Sequence, residues 1–147
     1  MNKIVTIITL AMVLICPTLQ AKQHTVKLLT SGSNGQMMIM EPAVISIAPG
    51  DSISFEPADA SHNAVSDSIP DGATAFATPF GKTQLVTFSV EGIYVYKCQP
   101  HLPLGMVGVI NVGKATNVKQ ARDALIALKP QIMMNKERID SYLAALN

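Results

Sequence analysis

Between His24 and Val112, apolar side chains recur at every second position in short runs, and turn-forming glycine, proline or aspartate residues separate them. Successive side chains of a strand point to opposite faces, so this period marks strands that bury one face. Val26 and Leu28 alternate around Lys27, and Met38, Ile39 and Met40 form a second run stopped by Pro42. Ile45 and Ile47 lead into Pro49-Gly50-Asp51, where proline presets φ and glycine supplies a positive φ. Ile53 and Phe55 follow, then Val86, Phe88 and Val90, then a β-branched and aromatic run at 93–97 and a last run at 107–112. Many short strands of this kind predict a mainly β fold, a two-sheet antiparallel sandwich. The stretch 66–84 has no period and contains Pro70, Gly72, Pro79 and Gly81. It reads as a long connection with a short helical turn near 74–76.

After Gly113 the period lengthens. Val118, Ala121, Leu125 and Leu128 recur at helical spacing with Asn117 as the N-cap. Pro130 is placed to open a second helix, with Ile132, Ile139, Leu143 and Leu146 on one face. Two amphipathic helices of this size are a tail laid on the sandwich, not a second domain. The expected division is therefore 22–113 for the sandwich and 114–147 for the tail.

Residues 1–21 are set apart. Asn2 and Lys3 precede an uncharged run from Ile4 to Cys16, and Pro17, Thr18, Leu19, Gln20 and Ala21 follow. This is the order of a secretory signal, with cleavage expected after Ala21. The apolar run is shorter than the roughly 20 residues that span a bilayer. A lipid anchor on Cys16 is disfavoured, because Ile15 stands where such motifs carry a small residue. Removal of 1–21 takes Lys3 from eleven basic residues and nothing from ten acidic ones, which leaves no net charge. A neutral chain gives no footprint for nucleic acid. It also leaves Cys98 as the lone cysteine of an exported protein, and an unpaired thiol in an oxidising compartment asks for an explanation.

Its neighbours supply one. Residues 98–106 read Cys-Gln-Pro-His-Leu-Pro-Leu-Gly-Met between two strands, and His62 follows the turn Asp59-Ala60-Ser61 upstream. Cys98, His101 and Met106 with His62 offer one thiolate, one thioether and two imidazoles. Thiolate and thioether are soft ligands that favour Cu(I), imidazole also suits Cu(II), and a trigonal His₂Cys set with a weak axial methionine is a blue-copper pattern. A zinc site would draw four ligands mostly from cysteine and histidine, which this chain lacks. A Cys–His nucleophile would need an oriented base, and neither rival explains Met106. His24 is assigned no role.

These residues resemble those of the pseudoazurins, a branch of the cupredoxin or type 1 blue copper family. Cys98-Gln99-Pro100-His101 through Met106 is similar to the family's Cys-x-Pro-His-x₄-Met, and His62-Asn63 to its first-ligand pair. Ile69-Pro70-Asp71-Gly72-Ala73, Ala75-Phe76, Glu41-Pro42-Ala43, Ala48-Pro49-Gly50-Asp51 and the stretch 107–113 also match, and a two-helix tail separates pseudoazurins from plastocyanins and amicyanins. The resemblance implies a cupredoxin-like Greek-key sandwich with two C-terminal helices, and a periplasmic one-electron carrier holding one copper ion, not an enzyme. A copper-delivery module without redox turnover is the alternative on the same ligands. It further implies that Asn63 ties the His62 segment to the cysteine loop, that Pro100 keeps an N–H away from the sulfur, and that Met38 lies beside His101. His101 would face partners through a patch with Leu102, Pro103 and Leu104. Those partners would be copper nitrite reductase, nitrous-oxide reductase or c-type cytochromes, met by a monomer that binds neither membrane nor nucleic acid once processed. Lysines that usually ring this patch are few: Lys97 and Lys82 remain, and Ala60 stands where a lysine is typical.

Overall fold

The computed structural model describes residues 20–146, so the signal sequence expected at 1–21 lies almost entirely outside the described residues. Eight strands form two sheets: β1 (Gln23–Ser31), β2 (Met37–Glu41), β3 (Val44–Ile47), β4 (Ser52–Pro57), β5 (Val65–Ser68), β6 (Gln84–Thr87), β7 (Gly92–Lys97) and β8 (Val107–Val112). One sheet has the order β2-β1-β4-β6 and the other β3-β8-β7-β5. Two helices follow, α1 (Val118–Leu128) and α2 (Glu137–Ala145). Among the described residues no helix is long and apolar enough to cross a membrane.

The sandwich is mixed, which corrects the expectation of a purely antiparallel one. β1 runs parallel to β4, and β3 parallel to β8. After the β1–β2 hairpin the chain changes sheet at β3 and returns at β4, and this Greek-key crossing brings like-directed strands together. Alternation reports which face is buried and carries no information on strand direction.

Between the sheets lie Val26, Leu28, Met40, Ile53, Phe55, Phe88, Tyr94, Tyr96 and Ile110. Tyr96 reaches across Gly108, where any Cβ would collide with its ring, so the glycine makes room for the aromatic. A second cluster lies on the outer face of the β7–β8 sheet. Ile93, Val95, Val107 and Val109 meet Ala121, Leu125, Leu128, Ile132, Ile139 and Tyr142 of the tail. β7 is therefore buried on both faces, which explains its nearly unbroken apolar run. Burial of each such side chain contributes about 1.5–3 kcal/mol.

Three local expectations differ from the structure. The stretch 74–76 holds no helical turn. Phe76 instead pairs its backbone with Ser66, and its ring stacks on Phe55 at 5.4 Å, so burial of the aromatic sets the local path. Asn117 sits at the N-cap of α1 without capping it. Its side chain accepts from the Ile93 N–H at 2.7 Å and donates to the Ile93 carbonyl at 3.0 Å, which pins the helix start to β7. Pro130 lies in a 3-10 turn, Lys129–Gln131, that extends α1, and the second helix begins only at Glu137. Residues 132–136 form an extra segment between the helices.

Candidate metal centre

At the end of the sandwich where β7 hands over to β8, Cys98 opens the connecting loop. The Cys98 N–H donates to the Met106 carbonyl at 3.0 Å, and the Met106 N–H donates to His101 at 3.2 Å, so the loop closes on itself at its base. A 3-10 turn, Leu102–Leu104, fills it, and Gly105 ends the turn at φ 78, a left-handed value that favours glycine. His62 approaches from just ahead of β5. Its carbonyl accepts the Gly81 N–H at 3.0 Å, while the neighbouring Ala64 N–H donates to the buried Thr78 hydroxyl at 2.8 Å. The return leg of the long connection thus fixes the His62 backbone, a role that no sequence period marks.

Three donor atoms converge. His62 Nδ1 lies 3.1 Å from His101 Nδ1, Cys98 Sγ lies 3.4 Å from His101 Nδ1, and Cys98 Sγ lies 3.9 Å from His62 Nδ1. An ion at the centre of that triangle would lie about 2 Å from each atom, close to bond lengths of a first-row metal to nitrogen and sulfur. Two imidazole Nδ1 atoms and a thiol at these separations can share one cation. Cys98, His62 and Met106 are fully buried, whereas His101 is half-buried. Met106 lies in the same apolar cluster as Cys98.

The surroundings prepare each donor. His62 Nε2 lies 2.9 Å from the Thr30 hydroxyl, which donates to Asp59 Oδ2 at 2.7 Å. Nε2 therefore carries the proton, and Nδ1 keeps the lone pair that a metal needs. Burial lowers the His62 pKa, with the nearby Asp59 carboxylate opposing, which favours the neutral ring. Asp59 is held well below the usual carboxylate range, first by the Ser61 hydroxyl, then by the Ser61 N–H and Thr30. Burial pushes the Cys98 thiol up, partly offset by hydrogen bonds from the Asn63 and His101 backbone. A thiol so placed is a poor free nucleophile and becomes a thiolate when a cation binds.

Sequence reasoning named His62, Cys98 and His101, and the fold brings them together. Asn63 does tie the two segments: its Nδ2 donates to Gln99 Oε1 at 2.8 Å and its Oδ1 accepts the Gln99 N–H at 3.0 Å. Pro100 is exposed in the loop. Met38 packs against the cluster that contains Cys98 and Met106, and it lines a shallow surface pocket of about 210 Å³ with Met37, Leu104, Met134 and Asn135. The expected patch needs one correction. Leu102 is buried in the outer cluster against the tail, because the tight turn points it inward while Pro103 points out. Exposed Met37 and Met134 stand by the pocket instead. Lys97 is no free docking charge either, since Asp67 Oδ1 sits 2.5 Å from its Nζ. Thr30, Thr78 and Arg138 went unnoticed in the sequence, where isolated polar residues carry no period.

Residues 26–113 match the family model of copper binding proteins, plastocyanin/azurin family. The pseudoazurin of Paracoccus pantotrophus is 37% identical over 130 residues, covering 86% of each chain. The crystal structure of pseudoazurin from Methylobacterium extorquens AM1 superposes with a TM-score of 0.72 at 36% identity, over 85% of this chain and 99% of that one. Native pseudoazurin from Hyphomicrobium denitrificans gives 0.72 at 31% identity, over 84% and 97%. A donor triangle of the size a metal ion fills, on a frame shared with these proteins over most of the chain, leads to one conclusion: the chain belongs to the plastocyanin/azurin family of copper binding proteins, on its pseudoazurin branch, whose members carry electrons and are not enzymes.

Proposed function

We propose that this chain is a periplasmic one-electron carrier in which His62, Cys98, His101 and Met106 hold a single copper ion, and that residues 1–21 are removed on export. The donor triangle carries the reading, because two imidazole Nδ1 atoms and a buried thiol at these separations suit both copper oxidation states. Copper, when bound, supplies a couple between Cu(I) and Cu(II) in which one electron is taken from a donor and one passed to an acceptor. The protein's part is to hold the donors still. The Asn63–Gln99 hydrogen bonds and the Thr30–Asp59 pair restrain ligand movement on electron transfer. His101 offers the exposed edge through which a partner couples. Pro103, Leu104, Met37 and Met134 present apolar surface near the loop, suited to small and short-lived encounters. Copper nitrite reductase, nitrous-oxide reductase or a c-type cytochrome fits as partner. Processing after Ala21 has support in the fold: it would turn the Lys22 nitrogen, 2.7 Å from Asp51 Oδ1, into a charged amino terminus beside a carboxylate.

The test is copper loading followed by a visible spectrum and a redox titration. We expect an intense thiolate-to-copper band, a reversible one-electron transition, and loss of the band in Cys98→Ser. A folded, copper-loaded protein without colour overturns the reading. Colour without a reversible transition, together with ready release of metal, assigns copper delivery instead.

A further inference from the structure

The segment between the two tail helices closes over the ligand loop. The N–H groups of Met133 and Met134 donate to the Pro103 carbonyl at 2.7 and 3.1 Å. Asn135 Nδ2 donates to the Leu104 carbonyl at 2.9 Å. Arg138 Nη1 reaches the Gly105 carbonyl at 3.3 Å and the Met38 carbonyl at 2.7 Å, and Nη2 reaches Met37 at 2.9 Å. Three successive loop carbonyls are thus held from outside. The approach is close: a Cβ on Gly105 would lie 2.8 Å from the Met134 carbonyl oxygen and 3.2 Å from Asn135 Cβ. Met38 and Asn135, both non-glycine, sit at φ 51 and φ 61, a backbone conformation that the surrounding contacts must enforce.

Arg138 is the unexpected member. It is only 8% exposed, and among the described residues its hydrogen-bond partners are carbonyls, with no carboxylate in ion-pair range. A buried cation is expensive to desolvate, and covering β8 requires only apolar side chains. The planar fork does something an apolar side chain cannot, since one group fixes β2 and the loop together.

We propose that Arg138, assisted by Asn135, is a positioning residue for the metal centre. By holding Gly105 it sets the place of Met106, the next residue, and by its charge it favours the reduced ion. This rests on the reading of Met106 as the axial ligand. Axial-ligand placement tunes the potential of such sites. A positive charge in a poorly screened interior disfavours the more positive oxidation state.

The experiment compares Arg138→Met, Arg138→Lys and Asn135→Gly in the full processed chain. For the copper-free form, amide hydrogen exchange is read at Leu104, Gly105 and Met106. For the loaded form, the midpoint potential, visible spectrum and Cu(I) release rate are read. Arg138→Met is expected to speed exchange at those three amides while the β1 and β4 amides hold, to lower the midpoint potential, and to release Cu(I) about ten- to a hundredfold faster. Arg138→Lys keeps the charge and should recover part of the potential without restoring slow exchange. Asn135→Gly keeps the left-handed backbone, deletes the amide and should loosen the loop less; it decides the clamp if Arg138→Met fails to fold. Unchanged loop exchange and unchanged potential overturn the proposal, and so does a uniform loss of stability with the potential intact. If the parent protein itself takes no colour with copper, the copper reading fails separately, and the copper-free exchange still decides the clamp.

Discussion

The two imidazoles of the centre are held in opposite ways. His62 is fully buried, its backbone is fixed by Gly81 and its outer nitrogen is engaged by Thr30, itself bonded to Asp59. His101 is half-buried in a loop, and among the described residues no hydrogen bond reaches its outer nitrogen. One side of the site belongs to the sandwich and the other to a loop braced by the tail. On the proposed reading, the difference separates two tasks. A donor locked in the core resists rearrangement when charge changes, while a donor at the surface gives an electron a short way out. A site with both histidines buried would be insulated, and one with both exposed would be loose.

The sharpest way to break this comparison is to delete each ring and offer it back. His62→Gly and His101→Gly should each lose nearly all of the charge-transfer band. Added free imidazole should restore colour in His101→Gly, where the gap opens to solvent, and not in His62→Gly. Equal rescue of both, read by absorbance, would remove the distinction between the two sides. A smaller effect is expected from Thr30→Val, which removes the hydroxyl 2.9 Å from the buried His62 Nε2 and leaves only Asp59 Oδ2, at 3.4 Å, to face that proton. That substitution should cost about 1–3 kcal/mol of copper-free stability in urea unfolding. Exposed Pro103→Ala on the loop side should change it by less than about 0.5 kcal/mol.

The smallest effect lies at the opposite end of the strands. Asp51 accepts from the Lys22 and Ala48 N–H groups and pairs with His24 Nε2 at 2.8 Å. The Lys22 bond first, then His24 and Ala48, hold its carboxyl at about 2. Its folded pKa lies below the ordinary value of about 3.9. The ionised form therefore stabilises the fold above about pH 4, and that contribution is lost as pH falls towards 2. Asp51→Asn should flatten the urea midpoint over this acid window without altering the copper spectrum. A spectrum that changes would show that the far end of the sandwich reaches the site.

Much of this is legible in the sequence. Val26 and Leu28, Ile53 and Phe55, and the apolar run of β7 announced their strands because burying one face of a pleated chain forces a period of two. Cys98, His101 and Met106 stood out because their spacing lies within one short loop. Other residues were silent. Thr30, Thr78 and Arg138 act across 32, 14 and 33 or more positions of sequence, and a single polar residue has no local signature. Leu102 departs from its expected place on the surface for the same reason, since only the turn and the tail decide which way it points.

The sequence by itself determined the class of fold, the helical tail and the chemical kinds of donor, because period and residue type are local properties that water and metal preference read directly. Only the tertiary structure decided that two strand pairs run parallel, that three donor atoms meet at the separations an ion fills, and that Arg138 braces their loop. Those outcomes depend on where distant segments come to rest against each other, and that is settled by packing the whole chain at once.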